Sequence, residues 1–236
     1  MTEYTNEDLD RLYNKEYFES TYEKEKSNWM VRVEFIDKKF SPTKILDIGC
    51  GEGFSVKAFN EYGIDAYGIE GSSYAISKID KSIKNKVFQI NLNSHKFPFE
   101  NETFDFILCS HTIEHIHNLD FFVSELSRVL KTGGNAWILT PNRPVDKTNP
   151  YDVNMKEFHE WKQFFKSKGF FFRKQWHYGF LGLKGKLRPL RLYNIPEPLL
   201  TWLKYFVYWY GKKREKTIPE CSFIIIKKDM MTMHII

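Results

Sequence analysis

The stretch KILDIGCGEGFS, residues 44–55, constrains this chain more than any other. An apolar run carries an acid, Asp47, just before glycine appears at positions 49, 51 and 53. Glycine loses more backbone freedom on folding than other residues, so three at alternate positions mark a loop that turns tightly or is closely approached. An apolar strand before that loop and a helical pattern after it, FSVKAFNEYG (54–63), make the opening of a βαβ unit.

The alternation continues downstream. DAYGIE (65–70) reads as a strand, Ser72 as the cap of a helix over 73–83, and KVFQIN (86–91) as the next strand. TFDFILCS (103–110) is a continuous apolar run, as expected for a strand buried on both faces. Residues 119–134 have apolar positions at helical spacing and end in a Gly pair, and NAWILT (135–140) is a strand stopped by Pro141. A helix over 155–168 and two late strands, FFFRKQW (170–176) and CSFIIIKK (221–228), complete the pattern. The expectation is an α/β fold: a doubly wound, mostly parallel, Rossmann-like sheet of seven strands. We read 1–236 as a single domain, with an N-terminal helical segment over 1–40, the core sheet in 43–176 and 220–228, and a helical cap inserted at 177–219.

In such sheets ligands bind at the carboxyl ends of the strands, so the glycine loop faces a ligand. A dinucleotide fingerprint would need a third glycine at position 54, which is Phe; Glu70 stands where a ribose-binding acid is expected. A carboxylate at Asp47 would repel a pyrophosphate and attract an ammonium. The ligand implied has a ribose and a cationic amino-acid end, and no phosphate.

These residues resemble those of the class I S-adenosylmethionine-dependent methyltransferases. ILDIGCGEG resembles their first motif and GIEGS (68–72) their second. FPFENETFDFILCSHTIEHI (97–116) resembles their fourth strand with the segment after it, and LSRVLKTGGNAWILTPN (126–142) the next helix, turn and strand. The resemblance covers 44–142 in order and spacing, and S-adenosylmethionine is the cofactor it implies. By the same resemblance, Gly49, Cys50, Gly51 and Gly53 would pass under the methionine part, and Asp47 would hold its ammonium. Glu70, with Gly71 beside it, would take the ribose. Asn91, where the family often has Asp, would accept from the adenine amino group, with Leu92 adding an apolar contact. Ser110 and His111 would lie at the methionine end. The reaction implied is in-line displacement on the sulfonium methyl, helped mainly by proximity. A hydroxyl acceptor needs a general base, and His111 or His115 is the choice. Relatives often carry a His near position 152; this chain has Asp152, so that segment supplies no base.

HTIEH (111–115) also matches a zinc-peptidase pattern, but it starts at the end of a strand rather than within a helix, and we expect no metal site. His117, His159 and His177 each read as surface or satisfied polar residues. Leu199 to Tyr210, with Thr201 and Lys204 its polar residues, is too short to span a bilayer. It reads as a buried cap helix or a homodimer contact in preference to a peripheral membrane contact. Three cysteines without paired spacing suit a reducing compartment, and residues 1–12 show no signal-peptide pattern, so a cytoplasmic protein is expected. The net charge of +5 is too mild to argue for nucleic acid. The acceptor expected is a small molecule, a sugar or a lipid-linked saccharide, methylated at oxygen. The alternatives are an RNA or protein methyltransferase, and a cofactor-holding scaffold without catalysis.

Overall fold

The computed structural model describes residues 5–22, 29–141, 152–174 and 220–228. Three helices come first, α1 (Asn6–Leu12), α2 (Lys15–Tyr22) and α3 (Trp29–Phe40). The alternating part comes next as β1 (Lys44–Ile48), α4 (Phe54–Tyr62), β2 (Asp65–Glu70), α5 (Ser73–Ser77), β3 (Val87–Gln89), β4 (Phe104–Ser110), α6 (Leu119–Val129) and β5 (Leu130–Pro141). The last elements are α7 (Phe158–Ser167), β6 (Phe170–Lys174) and β7 (Glu220–Lys227).

These strands form one seven-stranded sheet in the order β3-β2-β1-β4-β5-β7-β6. The first five pair in parallel, and β7 runs antiparallel to both β5 and β6. The order turns back at β1, with β2 on one side and β4 on the other. The crevice at that switch point is where an open sheet of this type receives its ligand.

The period of two along each strand divides the core. Leu46, Ile48, Ile107, Cys109 and Phe223 point into one layer, with Phe122 and Leu126 of α6 and Trp161 and Phe165 of α7. Ile45, Phe106, Leu108 and Ile224 point into the other, with Val33 and Ile36 of α3 and Val56 and Phe59 of α4. Burial of each such side chain contributes about 1.5–3 kcal/mol, so the two layers carry most of the folding drive. Asp47 falls on the same face as Ile45 and is 5% exposed; Ser55 of α4 donates its hydroxyl proton to it there.

The helix signals hold at the ends that matter. Gly63 terminates α4 with φ 98°, a left-handed conformation natural to glycine, and Ser72 caps α5 by accepting from Ala75 N–H at 3.2 Å. Other boundaries differ from expectation. The helix expected over 73–83 is broken after Ser77, and a 3-10 turn over Lys81–Lys86 comes after it, capped by Asp80, whose side chain accepts from Ser82 N–H. The helix expected over 119–134 stops at Val129, because Leu130 already pairs with Phe104 and residues 131–134 bulge before the pairing resumes at Asn135. The N-terminal helical segment contains α1, α2 and α3 among the described residues. The proposed cap at 177–219, with the aromatic run 199–210 and His177, lies outside the described residues.

The segment between β3 and β4 has little regular structure, and the Arg128–Glu125 pair is one of its anchors. Arg128 donates to both carboxylate oxygens of Glu125 at 2.7 and 2.8 Å, to Phe99 O at 2.6 Å and to Phe97 O at 2.9 Å. Glu125 returns the contact by accepting from Phe97 N–H at 2.8 Å. Replacing Arg128 by Ala should therefore lower unfolding free energy by about 3 kcal/mol, since it strands a buried carboxylate and two carbonyls. Urea denaturation measures this, and a loss under about 1 kcal/mol would show that the segment is held elsewhere.

Candidate functional site

The carboxyl ends of β1, β2 and β4 meet around the glycine loop. Gly49, Gly51 and Gly53 take φ values of 74°, 55° and 77°, all in the left-handed region where side chains are disfavoured. Gly49 is doubly constrained: a Cβ there would lie 2.1 Å from Thr112 Oγ1. Thr112 in turn shares its hydroxyl proton between Ile48 O at 3.1 Å and Ser110 O at 3.2 Å. The segment after β4 is thus laid directly against the loop after β1. Cys50 turns inward, and its sulfur occupies the space that Gly68 leaves open, 2.5 Å from where a Cβ would stand. Burial first, then the charges of Asp47 and Glu70, push the Cys50 thiol well above its usual range, which makes it a packing group rather than a nucleophile.

Glu70 ends β2 and reaches across to the loop. Its Oε2 accepts from Gly51 N–H at 2.8 Å, and its Oε1 from Gly71 N–H at 2.8 Å and Ser72 N–H at 2.9 Å. It is 8% exposed. Burial raises its carboxyl above the usual range, and the backbone donors of Ser72, Gly51 and Gly71 work against that rise. Asp47, at the end of β1 just ahead of the glycines, and Glu70, bonded to Gly51 N–H, are thus the two buried acids of this loop.

Asn91 lies just after β3 and is buried; its side-chain oxygen accepts from Asn93 N–H at 3.0 Å. Leu92 packs into the core layer that holds α6 and α7. Asn93 accepts from His117 N–H at 2.7 Å, which ties the turn after β3 to the segment after β4. Ser110 is partly exposed at the tip of β4. His111 takes φ 52°, unusual for a residue with a side chain, while its N–H donates to Leu139 O at 2.9 Å. Backbone strain of this kind concentrates at functional sites.

The two histidines of HTIEH engage different acids. His111 Nδ1 lies 3.5 Å from Glu114 Oε1, and His115 Nδ1 lies 3.2 Å from Asp152 Oδ1. His115 and Asp152 side chains are 14% and 5% exposed, so this pair is largely shielded from water. Residues 113–115 form a 3-10 turn, not the long helix a zinc peptidase requires, and no cluster of three metal-ligating side chains occurs among the described residues. His159 is a surface residue beside Glu157.

Three features of this site were not legible in the sequence. Asp152 is the partner of His115, although its segment looked unproductive for lack of a histidine. Tyr13, from the turn between α1 and α2, lies over the site, its ring centroid 5.6 Å from that of His115. Ser72 holds it there by donating to Tyr13 O at 2.6 Å, and Asp10 accepts from Ser73 N–H at 2.7 Å. Burial first, then Tyr17, Glu114, Glu70 and Asp152, push the Tyr13 phenol well above its usual range, so several site acids lie within electrostatic reach of it. Glu114 itself is 1% exposed, a deeply buried acid inside the stretch that matches a zinc-peptidase pattern. Its signal was the apolar frame of Ile113 and Ile116, both buried.

The donor set is suited to a cationic nucleoside and unsuited to a pyrophosphate. It combines buried carboxylates with backbone amides around left-handed glycines, and Glu70 keeps an acceptor position on Oε2 beyond the Gly51 contact. The sheet order and this loop define a class I methyltransferase domain, whose cofactor is S-adenosylmethionine. Residues 46–138 match the profile of a methyltransferase domain. The curated relatives include a ubiquinone biosynthesis O-methyltransferase of Pelagibacter ubique, 28% identical over 57% of this chain and 60% of its own length. A sterol 4-C-methyltransferase of Caenorhabditis elegans is 30% identical over 49% of this chain and 35% of its own. The chain thus spans less than two thirds of the length of these curated relatives. Among solved structures, a phosphoethanolamine N-methyltransferase of Haemonchus contortus in complex with S-adenosyl-L-methionine superposes with a TM-score of 0.61. It shares 18% identity, over 94% of this chain and 60% of that one, which is a likeness of fold.

Gly49→Ala should destabilise the chain by at least about 2 kcal/mol, since left-handed backbone and a steric clash act together. Adding Thr112→Ala should recover the steric part and leave the backbone part. Denaturation of the two variants checks this; no recovery in the double variant would mean that Thr112 is not what excludes a side chain at position 49.

Proposed function

We propose that this chain transfers the methyl group of S-adenosylmethionine to an oxygen of a small-molecule acceptor. The observation that carries the reading is a pair of buried carboxylates at the left-handed glycine loop, Asp47 just ahead of it on β1 and Glu70 of β2 accepting from its Gly51 N–H. Bound there, the cofactor supplies an electrophilic methyl on a cationic sulfur. Asp47 attracts the ammonium of its amino-acid end. Glu70 accepts from the ribose while keeping the loop amides in place. Asn91 and Leu92 line the adenine end, and Ser110 and His111 the methionine end.

For the acceptor, His115 is the base this reading favours over His111. Asp152 Oδ1, 3.2 Å from Nδ1, orients the imidazole, and the pair is shielded from water. A base held in this way suits a hydroxyl, which must lose its proton as it attacks. The ubiquinone O-methyltransferase relative supports oxygen; the sterol C-methyltransferase relative supports a small apolar molecule more generally. The buried acids Asp47, Glu70 and Glu114 disfavour a polyphosphate strand as acceptor. In this proposal residues 177–219 keep the role their sequence suggests, a cap on the acceptor side, and the protein works in the cytoplasm.

Two measurements test the proposal. Glu70→Ala should weaken S-adenosylmethionine binding by more than about tenfold in calorimetry, since charge-assisted hydrogen bonds contribute about 1.5–3 kcal/mol each. An unchanged Kd would remove Glu70 from the cofactor site. Labelled cofactor should pass its methyl group to a small-molecule fraction rather than to RNA or protein. With an acceptor in hand, Asp152→Asn should lower kcat by about 10² or more with a smaller change in KM. An unaltered kcat would show that His115 is not the base.

A further inference from the structure

Residues 152–156 lie against the turn that carries His115, and they touch it with alternate side chains. Asp152 Oδ1 is 3.2 Å from His115 Nδ1. Asn154, two residues on, donates its main-chain N–H to Glu114 O at 2.9 Å and its side-chain NH2 to Ile116 O. Lys156, two further, donates to Asn154 Oδ1 at 3.3 Å. The same ammonium lies 5.3 Å from the ring centroid of Trp161, a core residue of α7. Val153, between the first two, is exposed. This alternation is that of an extended chain with one face turned to the site.

The contacts of Asn154 bracket His115. The turn Ile113–His115 is a 3-10 helix of three residues, closed by His115 N–H to Thr112 O at 3.0 Å and by Ile116 N–H to Ile113 O at 3.3 Å. So short a turn has weak internal bonds, and the carbonyls at its end need donors from elsewhere. Glu114 O and Ile116 O are two of these carbonyls, one on each side of His115, and Asn154 donates to both. The main chain is thus fixed before and after the His115 Cα, and with it the direction in which the imidazole leaves the turn. Lys156 fixes the amide in its turn: with Oδ1 taken by an ammonium, NH2 is the end that faces Ile116 O.

We propose that Asn154 is a positioning residue for the base, holding the main chain on both sides of His115 so that the imidazole meets Asp152. The inference rests on the reading of His115 as the base and extends it. Asp152 and Asn154 divide the work: one orients the ring, the other sets the backbone from which the ring projects. Lys156 ties both to α7 through Trp161. A base must lie within hydrogen-bond reach of the proton it takes, so a displaced ring lowers the rate more than it lowers acceptor affinity.

Nuclear magnetic resonance of the full chain, labelled in its histidine rings, tests this without an acceptor. His115→Gln assigns the His115 signals, and exposed His95 is the control for folding. Asn154→Ala removes the side-chain contact and keeps the main-chain one; it should move the His115 signals by more than a linewidth and leave those of His95 in place. Asp152→Asn should move them as well, and Asn154→Ala added to it should move them little further. His115 signals unmoved by Asn154→Ala, or shifts that simply add in the double variant, overturn the inference. Lys156→Met serves if Asn154→Ala does not fold: it should move the same signals by a smaller amount, and unmoved signals overturn the inference there too. With the acceptor taken from the small-molecule fraction, Asn154→Ala should lower kcat by about tenfold with KM within about threefold, and cost less than about twofold more in the Asp152→Asn background. Losses that multiply in the double variant overturn the inference. A kcat that Asp152→Asn leaves unaltered, with the ring signals still moved, would remove His115 as the base and leave Asn154 as the residue that sets its ring.

Discussion

One carboxylate holds the site together. Glu70 ends its strand with two oxygens that take three backbone N–H groups, from the glycine loop on one side and from the start of α5 on the other. A loop of left-handed glycines has no side chains with which to fix itself, so its amides must be gathered from outside. Glu70 gathers one of them, and in the same contact fixes the entry to α5 through Ser72. Ser72 then caps that helix and fastens the Tyr13 carbonyl. The cofactor loop, the second strand and the N-terminal helices are therefore parts of one hydrogen-bonded unit. The acid that sequence logic assigns to a ribose also carries this internal duty, and its burial raises its carboxyl above the usual range.

The alternating core could be read from the chain because it depends on local periodicity. KILDI, DAYGIE and TFDFILCS became β1, β2 and β4 close to their expected bounds, since each is a short apolar run ended by a turn signal. The boundaries that moved did so for tertiary reasons. Leu130 has helical neighbours on one side, but its pairing with Phe104 takes it into the sheet. Ser77 ends α5 where nothing in the local pattern asks for an end.

The site was legible in part, and for a related reason. Asp47, the glycines and Glu70 sit at fixed offsets in one βαβ unit, so spacing reveals them. The glycines have a second purpose that spacing does not reveal: position 49 must admit Thr112, and Gly68 must admit Cys50. Tyr13 and Asp152 reach the site from segments far apart in the chain. The contact between Asp152 and His115 joins residues far apart in sequence and exists only once the sheet has closed. A histidine search along the chain found His115 and could not find what orients it.

The placement of β7 bears on how the chain is assembled. β6 lies at the sheet edge and joins it through β7 alone, yet β7 is separated from it by the 45 residues between Lys174 and Glu220. As the chain leaves the ribosome, α7 and β6 are made before the strand that connects them to the rest. The slot beside β5 is filled last, by a strand that must thread between two neighbours in the antiparallel sense. Loop closure grows only with the logarithm of length, so the intervening segment can lengthen or shorten at little thermodynamic cost. The rate is more exposed than the stability: until β7 arrives, the edge of β5 offers unpaired backbone to any strand, including that of a neighbouring chain. Late insertion of β7 gives this architecture freedom to vary the segment before it, and leaves it most open to misassembly at that point in synthesis.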